Sequence, residues 1–101
     1  MIHVLAIITT KPGLRAQVLE IFQANVPAVH AEEGCIAYEA VVDEPSAAAF
    51  AQFGPDTFVV VEQWASMAAL QAHGAAPHMK AYGERVKDMT AARAIHVLRP
   101  A

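Results

Sequence analysis

The sequence predicts one α+β domain of ferredoxin-like type, a split βαβ with a four-stranded antiparallel sheet, pairing with a second copy into a dimeric α/β-barrel. Three observations carry this expectation. The hydrophobic patterns run in the order β-α-β-β-α-α-β, the order of a sheet with its helices on one face. The strand stretches VLAII and FVVVE do not alternate apolar with polar residues, as they would if one face of the sheet met water. The 101 residues are 55% hydrophobic and only 17% charged, more apolar surface than a small monomer can hide inside itself. A second copy is the ordinary way to cover the excess.

Residues 2–10, IHVLAIITT, are a β-branched run ended by the turn signal Lys11-Pro12-Gly13. From Leu14 the period becomes 3.6, with Leu14, Val18, Ile21, Phe22 and Val29 on one face. Pro27 is expected to interrupt this helix after Asn25, and Gly34 to close the segment. Residues 35–43 read as the second strand, 44–55 as a long Ala/Gly/Pro loop with one helical turn, and 56–64 as the third strand. Ser66 is a good N-cap for a short helix stopped by Gly74. Pro77 suits the first turn of a further helix with the stripe Met79, Tyr82, Val86 and Met89. Residues 93–99, RAIHVLR, close the sheet.

Bulk properties exclude several classes. Net charge is −3 with no basic run, so a nucleic-acid partner is not expected. Nothing approaches the roughly 20 apolar residues of a membrane helix. A lone cysteine, Cys35, forms no internal disulfide and no Cys/His zinc spacing. The cytoplasm is the expected compartment. No metal is expected either, because His73 and His78 have no third ligand at suitable spacing.

Seven residues stand out as carriers of chemistry, each with a plain structural role beside the functional one. Glu62 and Trp64 are two apart on one strand and share a face with Phe58 and Val60. Glu62 reads as a buried acid/base or as a rim carboxylate paired with a cation. Trp64 reads as a platform for a planar substrate or as core. His73 follows Leu70 by one turn, and His78 precedes Tyr82 by four residues, so that pair is adjacent. One histidine is the expected base and His78 is preferred, with Tyr82 as donor; helix capping is the alternative for either. Asn25 falls mid-stripe, facing the sheet as an oxyanion donor or answering backbone groups freed by Pro27. Tyr38 lines the site or the core. His3 and His96 sit on strands toward an interface or solvent, His30 is on a polar helix side, and Cys35 is a packed residue rather than a nucleophile.

Four stretches together resemble the antibiotic biosynthesis monooxygenase family, of the quinol monooxygenase kind. They are Lys11-Pro12-Gly13, Glu33-Gly34-Cys35-Ile36-Ala37-Tyr38, Val61-Glu62-Gln63-Trp64-Ala65-Ser66, and Ala69-Leu70-Gln71-Ala72-His73 followed by Pro77-His78-Met79. The resemblance implies a homodimeric barrel with a pocket in each subunit between sheet and helices. It implies oxidation of a quinol or polyketide-type phenol by O₂ with no metal, flavin or other cofactor. The 44–55 loop is longer than the family's usual connection and is expected to cover the pocket or reach the partner. Haem-degrading relatives carry an asparagine near Ala6, and its absence speaks against haem. Two other functions compete. Related barrels isomerise small hydroxyketones or lactones by base-driven proton transfer, but no Arg/Lys cluster for a phosphate is apparent here. A non-catalytic binding or stress-response module would turn both histidines to solvent.

Overall fold

The β-branched run at the start of the chain forms β1 (Ile2–Thr10), and the computed structural model describes all 101 residues. There follow α1 (Arg15–His30), β2 (Cys35–Val41), a short 3₁₀ turn at Pro45–Ala47, β3 (Thr57–Trp64), α2 (Met67–Ala75), α3 (Pro77–Val86) and β4 (Thr90–Leu98). The four strands make one antiparallel sheet in the order β2-β3-β1-β4. This is the ferredoxin-like α+β arrangement. No helix is long and apolar enough to cross a membrane.

Several boundaries differ from those expected, each for a physical reason. Pro27 does not interrupt α1, which runs on to His30. Pro27 sits on an exposed side one turn from the helix end, and its own carbonyl still accepts from Ala31 N–H at 3.2 Å, so only one rung of the ladder is lost. Gly34 does not cap α1. It lies in the following turn with φ of +83°, and a Cβ there would stand 2.6 Å from the Cβ of Ala69. Gly74 does not stop α2 either. The break falls at Ala76, which is extended (ψ 139°) because it precedes Pro77. Ser66 caps α2 as expected, accepting from Ala69 N–H at 3.1 Å. β2 ends at Val41 rather than residue 43, and β4 begins at Thr90 rather than residue 93.

Register divides the sheet into two faces. Val4, Ala6, Phe58, Val60, Glu62, Trp64 and Tyr38 share the helix-covered face and supply most of the core with Val18, Phe22, Val29 and Val86. Fully burying side chains such as Phe22 or Val18 stabilises the fold by roughly 1.5–3 kcal/mol each. The helix-free face carries His3, Leu5, Val59, Val61, His96 and Leu98, of which Leu5, His96 and Leu98 are exposed.

The 44–55 loop is held at its base. Asp43 accepts from Phe53 N–H and Gly54 N–H at 3.0 and 2.8 Å, which holds its carboxyl below the usual carboxylate range. Arg15 donates to the carbonyls of Gly54 and Thr57. The loop's tip leaves Phe50 and Phe53 exposed, and none of its residues lines the cavity described below. The expectation that it covers the pocket within its own chain is therefore corrected.

Candidate active site

A cavity of about 440 Å³ lies between the helix-covered face and the α2–α3 pair, a size that suits a small organic ligand. Its walls are mostly apolar, from Val4, Ala6, Ile8, Phe22, Leu70 and Met79, and β4 adds Ile95 and Val97. The polar side chains on the wall are Glu62, His73, Tyr38, Tyr82, Lys80 and Arg93.

Strand parity brings Glu62 and Trp64 to the same face, and there the Trp64 indole N–H donates to Glu62 Oε1 at 2.9 Å. Glu62 is 6% exposed. Burial pushes its carboxyl above the ordinary carboxylate range, while the bond from Trp64 and the nearby His73 pull the other way. Glu62 Oε2 has no partner in the chain, yet no buried side-chain oxygen is left unsatisfied. That oxygen is therefore accessible, on a residue that lines the cavity.

His73 lies on the inner side of α2 and is 6% exposed. Its ring rests 4.6 Å from the Trp64 ring and 5.4 Å from that of Tyr38. Nδ1 is bonded to Glu32 Oε2 at 2.8 Å, and Nε2 has no partner in the chain. By the same accounting, Nε2 is accessible, on a residue that lines the cavity. The phenols stay protonated. Burial raises Tyr38 far above its ordinary value and pushes Tyr82 up to about 12. Both are therefore available as O–H donors and not as bases.

The expected wall of Glu62, Trp64, Asn25, His73, His78 and Tyr82 is only partly assembled. Glu62, His73, Tyr82 and Tyr38 line the cavity; Trp64, Asn25 and His78 do not. Trp64 is wholly buried beneath His73 and Glu62, so it supports the wall and presents no face to a substrate. Asn25 points toward α3 rather than the sheet, its Nδ2 lying 3.4 Å from Met79 Sδ, because Val18, Phe22 and Val29 already fill the sheet-facing side of α1. With His78 it lines a separate small groove between α1 and α3. His78 Nε2 sits 2.9 Å from Glu32 Oε2.

Glu32 is the residue that sequence reasoning missed. A signal was available: no Lys or Arg occurs between Arg15 and Lys80, so a carboxylate folded inside that stretch has only histidines as local cationic partners. Lys80 and Arg93 were missed also, because the cavity gathers them from α3 and β4. Of the remaining candidates, His30 contacts the Tyr38 carbonyl at 3.3 Å from the surface. Cys35 is half-buried against the core, and burial raises its thiol.

Comparison with known proteins places this geometry in context. The family model described as antibiotic biosynthesis monooxygenase matches residues 1–85. The Escherichia coli K12 protein named probable quinol monooxygenase YgiN is 44% identical over 99% of this chain and 98% of its own. Among solved structures, PA3566 from Pseudomonas aeruginosa superposes with a TM-score of 0.81 at 26% identity, covering 99% of this chain and 94% of that one. A structure described as an antibiotic biosynthesis monooxygenase gives 0.83 at 25% identity, covering 100% and 99%. The chain belongs to the antibiotic biosynthesis monooxygenase family.

Proposed function

We propose that this protein is a cofactor-free monooxygenase that oxidises a quinol-type phenol with O₂, with His73 as the base. The observation that carries the reading is that His73 and Glu62 line one mostly apolar cavity and each keeps an accessible atom, Nε2 and Oε2, without a partner in the chain. The substrate's phenolic proton, of pKa about 10, passes to His73 Nε2. The resulting phenolate is electron-rich enough to reduce O₂ directly. Quinol plus O₂ gives a hydroxylated quinone plus water, with all four electrons drawn from the quinol. One oxygen atom enters the ring and the other leaves as water. Tyr38 and Tyr82, on the wall of the same cavity, serve in this reading as donors to developing oxyanions, and Glu62, held above the ordinary carboxylate range, is suited to return a proton. The test is O₂ consumption by metal-free protein with hydroquinones and anthrone-like phenols, run with ¹⁸O₂. One labelled atom per product, undiminished by EDTA, is the expected result; hydrogen peroxide without incorporation overturns it.

The working unit is proposed to be a homodimer joined through the helix-free face. Leu5 and Leu98 on that face are exposed, as are Ile95 and Val97 on the other face of β4. A second reading has one specific observation behind it. Lys80 and Arg93 line the cavity, where the sequence showed no Arg/Lys cluster for a phosphate, and they suit an anionic hydroxyketone isomerised by the same base. Turnover that continues without O₂ would select that reading. The burial of His73 disfavours the non-catalytic module, for which both histidines should face solvent.

A further inference from the structure

Glu32 stands in the turn between α1 and β2, half-buried, and a single oxygen of its carboxylate meets two histidines. Oε2 lies 2.8 Å from His73 Nδ1, on α2, and 2.9 Å from His78 Nε2, on α3. A carboxylate offers only lone pairs, so both ring nitrogens facing it must carry hydrogen. Each histidine, when neutral, then keeps one lone pair, on the opposite nitrogen. For His73, a wall residue of the cavity, that nitrogen is the accessible and unpartnered Nε2.

We propose that Glu32 is a positioning residue that holds His73 in its Nδ1–H tautomer and so makes the cavity-facing Nε2 a base, with His78 securing the same carboxylate oxygen from the far side. A free neutral imidazole favours the other tautomer, with hydrogen on Nε2. In that form the nitrogen facing the cavity is a donor and takes no proton. Glu32 reverses the preference, and its negative charge also stabilises the imidazolium that forms when His73 accepts a proton.

The surroundings leave these two histidines as the carboxylate's only close cationic partners. The one other ion pair in the chain joins Lys87 to Glu84 on the surface. The titratable groups that face the cluster from the sheet are Glu62 on β3, and Cys35 and Tyr38 on β2. None of them is a cation. Glu32 itself is held in register by its neighbour. Gly34 packs its Cα side against Ala69 on α2, and its carbonyl accepts from Ala65 N–H at 2.8 Å. The turn that carries the acid is thereby docked on the helix that carries the base. His78 ties the start of α3 to the same point, and its side chain is 30% exposed.

For its catalytic consequence the inference rests on His73 being the base; for its chemical content it does not. The experiment therefore starts without substrate. Full-length protein labelled with ¹⁵N-histidine is examined at a pH where His73 is neutral, and the nitrogen shifts report which atom bears the proton. The expected wild-type result is hydrogen on Nδ1 and a lone pair on Nε2. Glu32→Ala, which leaves no acceptor facing Nδ1, should move His73 toward the Nε2–H form and lower kcat by roughly 10²-fold or more, with KM changed little. His78→Ala should keep the Nδ1–H form and lower kcat by less than about tenfold, the worth of one hydrogen bond. Hydrogen on Nε2 in the wild type overturns the proposal, and that spectrum decides the matter even if Glu32→Ala does not fold. A folded Glu32→Ala with an unchanged His73 tautomer overturns it as well. If the tautomers behave as expected but no quinol is oxidised, the role of Glu32 stands and the oxygenase reading falls.

Discussion

β3 and β4 both pair antiparallel with β1 along most of its length, yet they live in different surroundings. Thr57, Phe58, Val59, Val60, Glu62 and Trp64 of β3 are buried, whereas every residue of β4 after Thr90 is exposed. Composition does not explain the difference, since AIHVL is nearly as apolar as TFVVV. What lies above each strand does. β3 sits mid-sheet beneath the helix layer, while β4 is an edge strand with Arg93, Ile95 and Val97 on the helix side but no helix packed on them. The cavity therefore has one finished wall and one open wall. The finished wall holds the polar chemistry in place; the open wall offers apolar and cationic groups to whatever arrives.

Four measurements would sharpen or break that contrast. The largest effect is expected for Val61→Asp, which places a charge at the centre of the helix-free face. Sedimentation should show the dimer lost or the chain unfolded, and a well-folded, monomeric wild type at micromolar concentration would remove the premise. Next comes His73→Ala, on α2 above the finished wall, expected to lower kcat by about 10²–10⁴-fold with the fold intact. Arg93→Ala on the open wall should instead raise KM, and a kcat loss equal to that of His73→Ala would erase the division of labour.

Urea titration gives the third comparison. Phe58→Ala should cost about 3–5 kcal/mol, whereas Ile95→Ala should cost roughly 0.5 kcal/mol if β4 stays uncovered. Equal costs would mean that a partner covers β4 in solution. The smallest effect concerns Glu62. Burial raises its folded-state pKa above the unfolded value of an ordinary carboxyl, so the folded chain holds that proton more tightly. The stability this adds is present at low pH and is lost as pH climbs through the raised value. Glu62→Gln should therefore gain in Tm over the wild type between pH 4 and pH 7. A Tm difference that is flat across that range contradicts the burial argument.

Much of the fold was legible because its signals are local. Ser66 and Pro77 mark helix starts through their own side chains and φ preference, and strand parity alone aligned Glu62 with Trp64. The site was legible only in part. Glu32 meets histidines 41 and 46 residues further along the chain, and no periodicity encodes a meeting of that kind. Spacing favoured His78 over His73 because it adjoins Tyr82, but the bend at Ala76-Pro77 turns His78 into the α1–α3 groove. Asn25 misled for a related reason. A helical wheel treats the stripe of α1 as one surface, whereas the structure splits it between sheet and α3.

The place of β1 in the sheet bears on how the chain is made. Residues 2–10 are synthesised before both of their partners, residues 57–64 and 90–98. During translation at about 5–20 residues per second, IHVLAIITT waits several seconds with at least one open edge. Open apolar edges are what neighbouring nascent chains join onto, so on crowded polysomes this strand is open to wrong pairing until the last strand is in place.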